Sequence, residues 1–216
     1  MSTPDAPATV FAIDDDESFL TAVGRVLRVG GYTVEACPSP AEFLARPPSR
    51  VPGCLLVDLR MPDMTGLEFQ RRLRDSGWTQ PIVFVSGAGT IPATTQALKA
   101  GALDFLTKPV RSDELLRTVA EAIERHRRLL AEQDELASLR ARYDALTARE
   151  REVCHGVARG QLNKQIAYDL DLTLATIKFH RARGLIKLGV SSVPALVLLL
   201  DRLGVLETPI GPVSRR

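Results

Sequence analysis

Five polar side chains in this sequence could together carry out phosphoryl-transfer chemistry. They are Asp14, Asp15, Asp58, Ser86 and Lys108, and each lies at or just after the end of a short apolar run. Carboxylates that converge on one point repel each other, and a hard divalent cation such as Mg²⁺ can offset that repulsion while it keeps several of its waters. A lysine and a hydroxyl on the far side could hold phosphoryl oxygens, which leaves Asp58 as the nucleophile.

These side chains converge only if the apolar runs are strands of one sheet. Helically spaced segments separate the runs, and this alternation predicts a five-stranded, doubly wound parallel α/β sheet. In the strand order 2-1-3-4-5 the first and third strands are neighbours and the winding reverses between them, so the three acids would meet in one crevice. The predicted strands are Thr9–Ile13, Thr33–Ala36, Cys54–Val57, Ile82–Val85 and Phe105–Thr107.

Each of the five residues also has an ordinary structural explanation. The three acids could cap helices, and Ser86 and Lys108 could belong to ordinary turns and loops. Those explanations do not account for the position of every one of them at the carboxyl end of a predicted strand. The combination therefore favours a functional site.

Cap and turn residues predict where the intervening helices begin. Ser18 is predicted to cap the first helix, Pro40 to open a short second one and Thr65 to open the third. Pro92 is expected in the first turn of a fourth helix.

Residues 8–125 resemble the receiver domain of two-component response regulators of the FixJ/NarL type. The resemblance implies a flavodoxin-like fold in which a histidine kinase transfers a phosphoryl group to Asp58. It also implies that Mg²⁺, or alternatively Mn²⁺, is bound by Asp15, Asp58 and the backbone carbonyl of Arg60, while Asp14 acts through a water. The matching residues are the run Asp14-Asp15-Asp16, the segment 58–66 (DLRMPDMTG), Ser86-Gly87 and Lys108-Pro109.

The same resemblance implies a conformational switch. Lys108 would contact the phosphoryl group, and Ser86 and Phe105 would form a hydroxyl–aromatic pair whose movement exposes a dimerisation face. The bond between Lys108 and the proline after it is expected to be cis. Relatives of the FixJ type often carry a histidine and an acid where this chain has Ala88 and Thr90, so how tightly phosphorylation is coupled to the switch stays open.

A long helix is predicted to connect two domains, because no glycine or proline occurs from Ser112 to His155. Apolar residues recur at helical spacing, and Ala122, Leu136 and Tyr143 belong to a row with seven-residue spacing. Polar residues occupy another such row. A dimeric coiled coil and a solvated single helix therefore both stay open.

The residues after this connector are predicted to form a helix-turn-helix. Thr147 and Glu150 have capping-box spacing at the start of one helix. Asn163 is predicted to cap a short helix, Asp171 to take left-handed backbone in a tight turn, and Thr173 to cap a longer helix.

Spacing alone gives the longer helix an apolar stripe and a basic face. A basic face that is simply solvated and one that contacts DNA fit this pattern equally well. The stripe is formed by Leu174, Ile177, Leu185 and Leu188.

Residues 143–205 are similar to the LuxR-type DNA-binding domain, through the segments 146–153 (LTAREREV), 163–167 (NKQIA) and 176–181 (TIKFHR). The resemblance implies that some residues of the longer helix face the major groove and that others lie near phosphates. The first group is Lys178, Phe179 and either Arg181 or Ala182; the second is Lys164, Thr173 and Thr176.

Composition and charge agree with a cytoplasmic protein that binds nucleic acid. The 216 residues are 45% hydrophobic and 25% charged, and their number suits two domains. No apolar run is long enough to span a bilayer and no signal peptide is recognisable, so no membrane partner is expected. Residues 147–216 carry 11 basic and 6 acidic side chains, which favours a polyanionic partner.

We therefore expect a DNA-binding transcriptional response regulator that is activated by phosphorylation of Asp58. The expected domains are a receiver (1–125), a helical linker (126–142), a helix-turn-helix domain (143–208) and a tail (209–216). The expected partners are a histidine kinase, double-stranded promoter DNA and a second copy of the chain, with RNA polymerase left open.

Two alternatives stay open beside this hypothesis. The first is a Mg²⁺-dependent phosphoaspartate phosphatase, which is disfavoured because Arg60 stands where such an enzyme needs a general-acid aspartate. The second is an interaction module that dimerises without phosphate. Under the leading hypothesis the chain is not an enzyme, beyond assisting the phosphorylation and dephosphorylation of its own Asp58.

Overall fold

The computed structural model describes residues 7–87, 95 and 97–206. The chain divides into two compact units, Met1–Ala131 and Glu132–Arg216. The elements of the first unit are β1 (Thr9–Ile13), α1 (Glu17–Val29), β2 (Thr33–Cys37), α2 (Pro40–Leu44), β3 (Gly53–Asp58), α3 (Gly66–Asp75), β4 (Ile82–Ser86) and β5 (Asp104–Thr107). A further helix, α4 (Ser112–Asp144), contributes residues to both units.

The five strands form one parallel sheet in the order β2-β1-β3-β4-β5, which confirms the predicted fold class and strand order. Ile13 pairs with Val57, and Val57 pairs with Phe84. Because these partners are near the ends of β1, β3 and β4, the residues that follow them emerge at the same edge of the sheet.

The sheet is covered on both faces, as its continuous apolar strands require. Phe11 and Leu55 lie in one buried cluster, to which α3 contributes Phe69. Their neighbours in the two strands, Val10 and Leu56, lie in a second buried cluster. Since successive side chains point to opposite faces of a strand, two cores hold the sheet in place between them.

Two of the predicted helix starts are confirmed and one is wrong. Thr65 caps α3 through its side chain, and Pro40 lies in the first turn of α2. The residue that caps α1 is Asp16, whose carboxylate accepts hydrogen bonds from the backbone N–H groups of Ser18 and Phe19. Ser18 is already inside the first turn of α1, so it cannot be the N-cap.

The fourth predicted helix begins at Pro92, which lies outside the described residues. Ala88 and Thr90, the two positions that bear on the coupling of the switch, also lie outside them.

The second unit is helical. After α4 it contains α5 (Ala148–Ala158), α6 (Asn163–Asp169), α7 (Leu174–Leu188) and α8 (Val193–Arg202). Its buried cluster includes Leu139 and Tyr143 from α4, Val153 from α5, Ile177 from α7 and Leu196 from α8. Each helix thus contributes one apolar face to a common core.

Local signals placed most of these helices correctly. Thr147 and Glu150 form the predicted capping box of α5, and Thr173 caps α7. Asp171 takes the predicted left-handed backbone, with φ of 51°. The predicted cap at Asn163 is wrong, because Asn163 is already the first residue of α6.

The connector forms the predicted continuous helix, the 33-residue α4. Its row with seven-residue spacing is not one continuous exposed face: Ala122 and Tyr143 are buried within their own units, whereas Leu136 is 43% exposed. A dimeric coiled coil through this row stays an alternative to a solvated single helix.

Within the described residues, no helix taken singly has both the length and the hydrophobicity to cross a membrane. Helices α7 and α8, bent by 58° at their junction, meet that test of length and composition only as a pair.

Candidate functional site

The first site is an ion-paired cluster at the carboxyl edge of the sheet. Asp14 follows β1, Asp58 is the last residue of β3, and Lys108 follows β5. The Nζ atom of Lys108 lies 2.6 Å from Asp14 Oδ2 and 3.1 Å from Asp58 Oδ1. The fold thus brings together three side chains that are far apart in sequence.

Burial and ion pairing have opposite effects on the pKa values of Asp14 and Lys108. Asp14 is 2% exposed and Asp58 is 6% exposed. Burial raises the pKa of Asp14, although the hydrogen bond from Lys108 opposes that shift. Burial alone would lower the pKa of Lys108, but its hydrogen bonds to Asp14 and Asp58 outweigh burial and raise it. Lys108 therefore stays protonated and supplies one positive charge to two carboxylates.

The lysine is also positioned by an aromatic ring. Its Nζ atom lies 4.0 Å from the ring centroid of Phe19, which stands at the start of α1. A cation near the face of an aromatic ring is attracted by its quadrupole, so Phe19 helps to hold the ammonium group over the sheet edge.

Of the remaining residues predicted to bind a metal, Arg60 contacts Asp58, whereas Asp15 is at the surface. The contact is a hydrogen bond that the backbone N–H of Arg60 donates to Asp58 Oδ2. Across the residues that the structure describes, no three His, Cys, Asp or Glu side chains are grouped closely enough to hold a metal ion. The donors nevertheless fit Mg²⁺, which prefers oxygen, binds through one or two carboxylates and retains water.

The predicted switch residues lie on β4 and β5, beside the cluster. Ser86 is the last residue of β4 and is 1% exposed. Phe105 pairs with Phe84 across the two strands and packs, half-buried, against the core. The peptide bond between Lys108 and Pro109 is cis, as expected.

The second site is the outer face of α7. Lys178, Phe179 and Ala182 are exposed there, as the predicted contacts with a groove require. Arg181 is half-buried instead, and its Nη1 atom donates to Asn163 Oδ1 at 2.9 Å. Asn163 therefore holds the Arg181 side chain against α6 rather than capping that helix.

The residues predicted to lie near phosphates are at the starts of α6 and α7. Lys164 and Thr173 are exposed, and Thr176 is half-buried. The hydroxyls of Thr173 and Thr176 lie 2.8 Å apart, and Thr173 Oγ1 accepts from the backbone N–H of Thr176. The predicted apolar stripe is wrong at Leu174, which is the first residue of α7 and is 45% exposed.

An ionic network that sequence reasoning missed holds α7 to α5. Glu150, 2% exposed, accepts from Lys187 Nζ at 2.6 Å and lies 3.6 Å from Arg183 Nε. The hydrogen bonds from Lys187 and from the backbone of Thr147 lower the pKa of Glu150 to about 2. The capping-box pattern predicted the Thr147 contact, but no local signal pointed to Lys187.

A second missed residue is His126 on α4, which is fully buried in the first unit. Its Nδ1 atom accepts from the backbone N–H of Gly53, and its Nε2 atom lies 3.1 Å from Thr79 Oγ1. Because Nδ1 is an acceptor, the ring is neutral with its proton on Nε2. In the sequence, His126 was visible only as a polar residue of the predicted linker.

Two protein families match this chain. The family described as response regulator receiver domain matches residues 10–120. The family described as bacterial regulatory proteins, luxR family, matches residues 144–200. The first match covers the ion-paired cluster, and the second covers α5, α6 and α7.

Three relatives are similar to this chain over a length that includes both matched regions. The response regulator protein TodT of Pseudomonas putida is 40% identical over 199 residues, which cover 92% of this chain and 88% of TodT. The transcriptional regulatory protein FixJ of Rhizobium meliloti is 38% identical over 189 residues, covering 88% and 93%. The solved structure of the response regulator StyR is 37% identical, with a TM-score of 0.81 and coverage of 91% and 100%.

Proposed function

This chain belongs to the response regulators that join a receiver domain to a LuxR-type DNA-binding domain, and we propose that phosphorylation of Asp58 controls how tightly it binds promoter DNA. The family consists of DNA-binding regulators rather than typical enzymes, and its two domains imply a histidine kinase and DNA as partners. The proposal for this chain concerns the phosphorylated residue, the bound metal ion and the conformational switch.

The observation that carries the proposal is the bridge that Lys108 makes between Asp14 and Asp58 at the carboxyl edge of the sheet. A lysine beside a nucleophilic carboxylate can neutralise a phosphoryl group as it arrives. Asp58 is in addition the end of a buried strand, so its carboxylate has little freedom to move.

In the proposed reaction, a carboxylate oxygen of Asp58 attacks the phosphorus of a phosphohistidine on the kinase. A P–O bond forms as the P–N bond breaks, and the imidazole of the kinase leaves. Asp15, Asp58 and the Arg60 carbonyl would hold Mg²⁺ (or Mn²⁺), with Asp14 acting through a water. The bound cation supplies positive charge for the phosphoryl oxygens. The same groups would assist the later hydrolysis of the phosphoaspartate.

The proposed switch uses the residues next to Asp58. A phosphoryl group adds nearly two negative charges and three strong acceptors. Lys108 would turn toward it from Asp14, and the Ser86 hydroxyl would donate to it. Phe105, which is half-buried, would then turn inward. Phosphate shifts the receiver only through its higher affinity for the second conformation.

We propose that this shift makes two receivers dimerise, so that two copies of α7 bind a near-palindromic operator. Lys178, Phe179 and Ala182 would face the groove, with Arg181 beside them and Lys164, Thr173 and Thr176 toward the phosphates. The proposed boundaries are a receiver at 1–125, a linker at 126–142, a DNA-binding domain at 143–208 and a tail at 209–216. RNA polymerase as a further partner and a cytoplasmic location belong to the same proposal.

The test treats the full-length protein with a small phosphodonor and Mg²⁺. We expect the mass of the protein to increase by one phosphoryl group and a monomer to become a dimer. Affinity for a DNA site with dyad symmetry should rise. Asp58→Asn should abolish all three effects. The matched control is Asp63→Asn, which changes an exposed acid of the same loop and should leave them intact. Unchanged DNA affinity in fully phosphorylated protein would contradict the proposal.

A further inference from the structure

The outward face of α7 combines exposed apolar side chains with two basic ones. Phe179 is 55% exposed and Ile186 is 77% exposed. With Ala175 and Ala182 they form one row at intervals of three or four residues, so all four side chains are on the same side of the helix. A contiguous exposed apolar row of this kind, unlike scattered single residues, is typical of a binding surface.

The ring of Phe179 is held in place by its neighbours. The guanidinium carbon of Arg183 lies 5.5 Å from its centroid, and the His180 ring lies 5.6 Å away at 69°. Arg183 is in turn 3.6 Å from the buried carboxylate of Glu150. This arrangement restricts the ring before any partner arrives, which lowers the entropy that binding must overcome.

The charges around this row select the kind of partner. Lys178 and Arg183 flank Phe179 and are exposed, and Lys164 is exposed at the start of α6. Lysine is depleted in the cores of protein–protein interfaces. An apolar strip between cations suits a polyanion that has apolar groups on the contacted surface. In the major groove of DNA, thymine presents such a group, its 5-methyl.

Small residues on either side of the ring strengthen this assignment. Ala175 and Ala182 are exposed one turn before and one turn after Phe179. Because their side chains are short, α7 can approach the floor of the groove closely enough for Phe179 to contact bases. Longer side chains at these positions would hold the helix away from the base edges.

We infer that Phe179, set between Ala175 and Ala182, recognises a thymine methyl group in the major groove of each half-site. The inference rests on the proposed function and adds to it the class of sequence that is bound. Lys178, on the same face, contacts the adjoining base or phosphate. Ile186 lies almost two turns further along α7, beyond the helix start that contacts base edges.

The test uses phosphorylated full-length protein and a randomised duplex library. The enriched duplex is made again with deoxyuridine in place of thymidine, one position at a time, which removes only the methyl group. We expect one position in each half-site at which this change weakens binding of the unmodified protein about fourfold. Phe179→Ala should bind the thymidine and deoxyuridine duplexes equally, while Phe179→Leu should retain part of the difference.

Ile186→Ala is the matched control, since it removes another exposed apolar group of the same row and should keep the full difference. Equal binding of both duplexes by the unmodified protein would overturn this inference and leave DNA binding intact. A difference that persists in Phe179→Ala would overturn it too, because DNA shape would then be the cause. Absence of any enriched sequence would contradict the proposed function itself.

Discussion

The Nδ1 atom of His126 accepts a hydrogen bond from the backbone N–H of Gly53 at 3.1 Å. This bond joins α4 to the first residue of β3, 73 positions away in the sequence. Burial and the charge of Arg50 lower the pKa of His126 to about 4. The imidazole is therefore an acceptor at neutral pH, and a proton on Nδ1 would break the bond.

The first prediction is a loss of receiver stability in acid. An unfolded histidine titrates near pH 6.5, and the folded His126 near 4, so the unfolded chain binds more protons between these values. The stabilisation from His126 is complete above about pH 6.5 and is lost as the pH falls toward 4, by roughly 3 kcal/mol in total. Urea unfolding followed by Trp78, the single tryptophan in the chain, measures it.

His126→Asn isolates this effect, because its amide oxygen can accept from Gly53 without titrating in this range. The variant should be less stable at pH 7 but should show a flatter profile between pH 4 and 6.5. His180→Gln, in the second unit, should preserve the slope of the unmodified protein. An equal slope in His126→Asn would show that other groups cause the acid loss.

The second prediction concerns the charge balance at the sheet edge. Lys108→Met leaves two buried carboxylates without their cation, which should cost about 2 kcal/mol of receiver stability at pH 7. The value lies below that for a fully buried pair because the Lys108 side chain is 21% exposed. Saturating Mg²⁺ should restore part of the loss, since an ion that binds only the folded state stabilises it.

Lys99→Met removes an exposed lysine of the same unit and is the control, with an expected change within about 0.5 kcal/mol. Adding Asp14→Asn to Lys108→Met should recover stability, because one of the unpaired charges is then gone. A double variant no more stable than Lys108→Met would mean that carboxylate repulsion is not the cause.

The third prediction concerns the network that anchors α7. Glu150→Ala removes the acceptor of Lys187 and half of the capping box of α5, and should destabilise the second unit by about 2 kcal/mol. Affinity for DNA should fall as well, because Arg183 and the ring beside it lose their anchor. Hydrogen exchange of α7 and DNA titration measure the two effects.

Glu152→Ala provides the comparison, since Glu152 is exposed and pairs with Arg149 at the surface, so its loss should change stability by less than about 0.5 kcal/mol. The stabilisation from Glu150 should be complete above pH 4.5 and should decline as the pH falls toward 2, because its folded pKa is lowered to about 2. Equal stability of Glu150→Ala and Glu152→Ala would show that the network does not stabilise the second unit.

The fourth prediction separates base contacts from phosphate contacts on α7. Lys178→Ala should weaken binding to the enriched site by roughly 1–3 kcal/mol and change binding to scrambled DNA much less, if Lys178 contacts a base. Lys164→Ala should weaken both about equally and reduce the salt dependence. An equal loss on both duplexes for Lys178→Ala would assign it to a phosphate.

Local patterns were sufficient wherever a structural choice depends on neighbouring residues. The strands of the sheet followed from apolar runs, and the caps at Thr65, Thr147 and Thr173 followed from residue type and spacing. At two helix starts the pattern was wrong by one or two residues: Asp16 caps α1 in place of Ser18, and Asn163 lies inside α6. The direction in which the chain enters a helix decides which of several neighbouring residues is the cap, and residue spacing does not predict that direction.

The sequence by itself determined the fold class, the two-part organisation and the family, because periodicity, turn residues and motifs are local properties of the chain. The sheet order followed from the doubly wound fold that the alternation of strands and helices predicts. Only the tertiary structure decided that Lys108 bridges Asp14 and Asp58, that Lys187 pairs with Glu150 and that His126 holds Gly53. These partners are 37 to 94 residues apart. Such pairs form because packing brings their elements together. A buried charge or donor has lost its contact with water, so it pairs with the complementary group that packing places beside it.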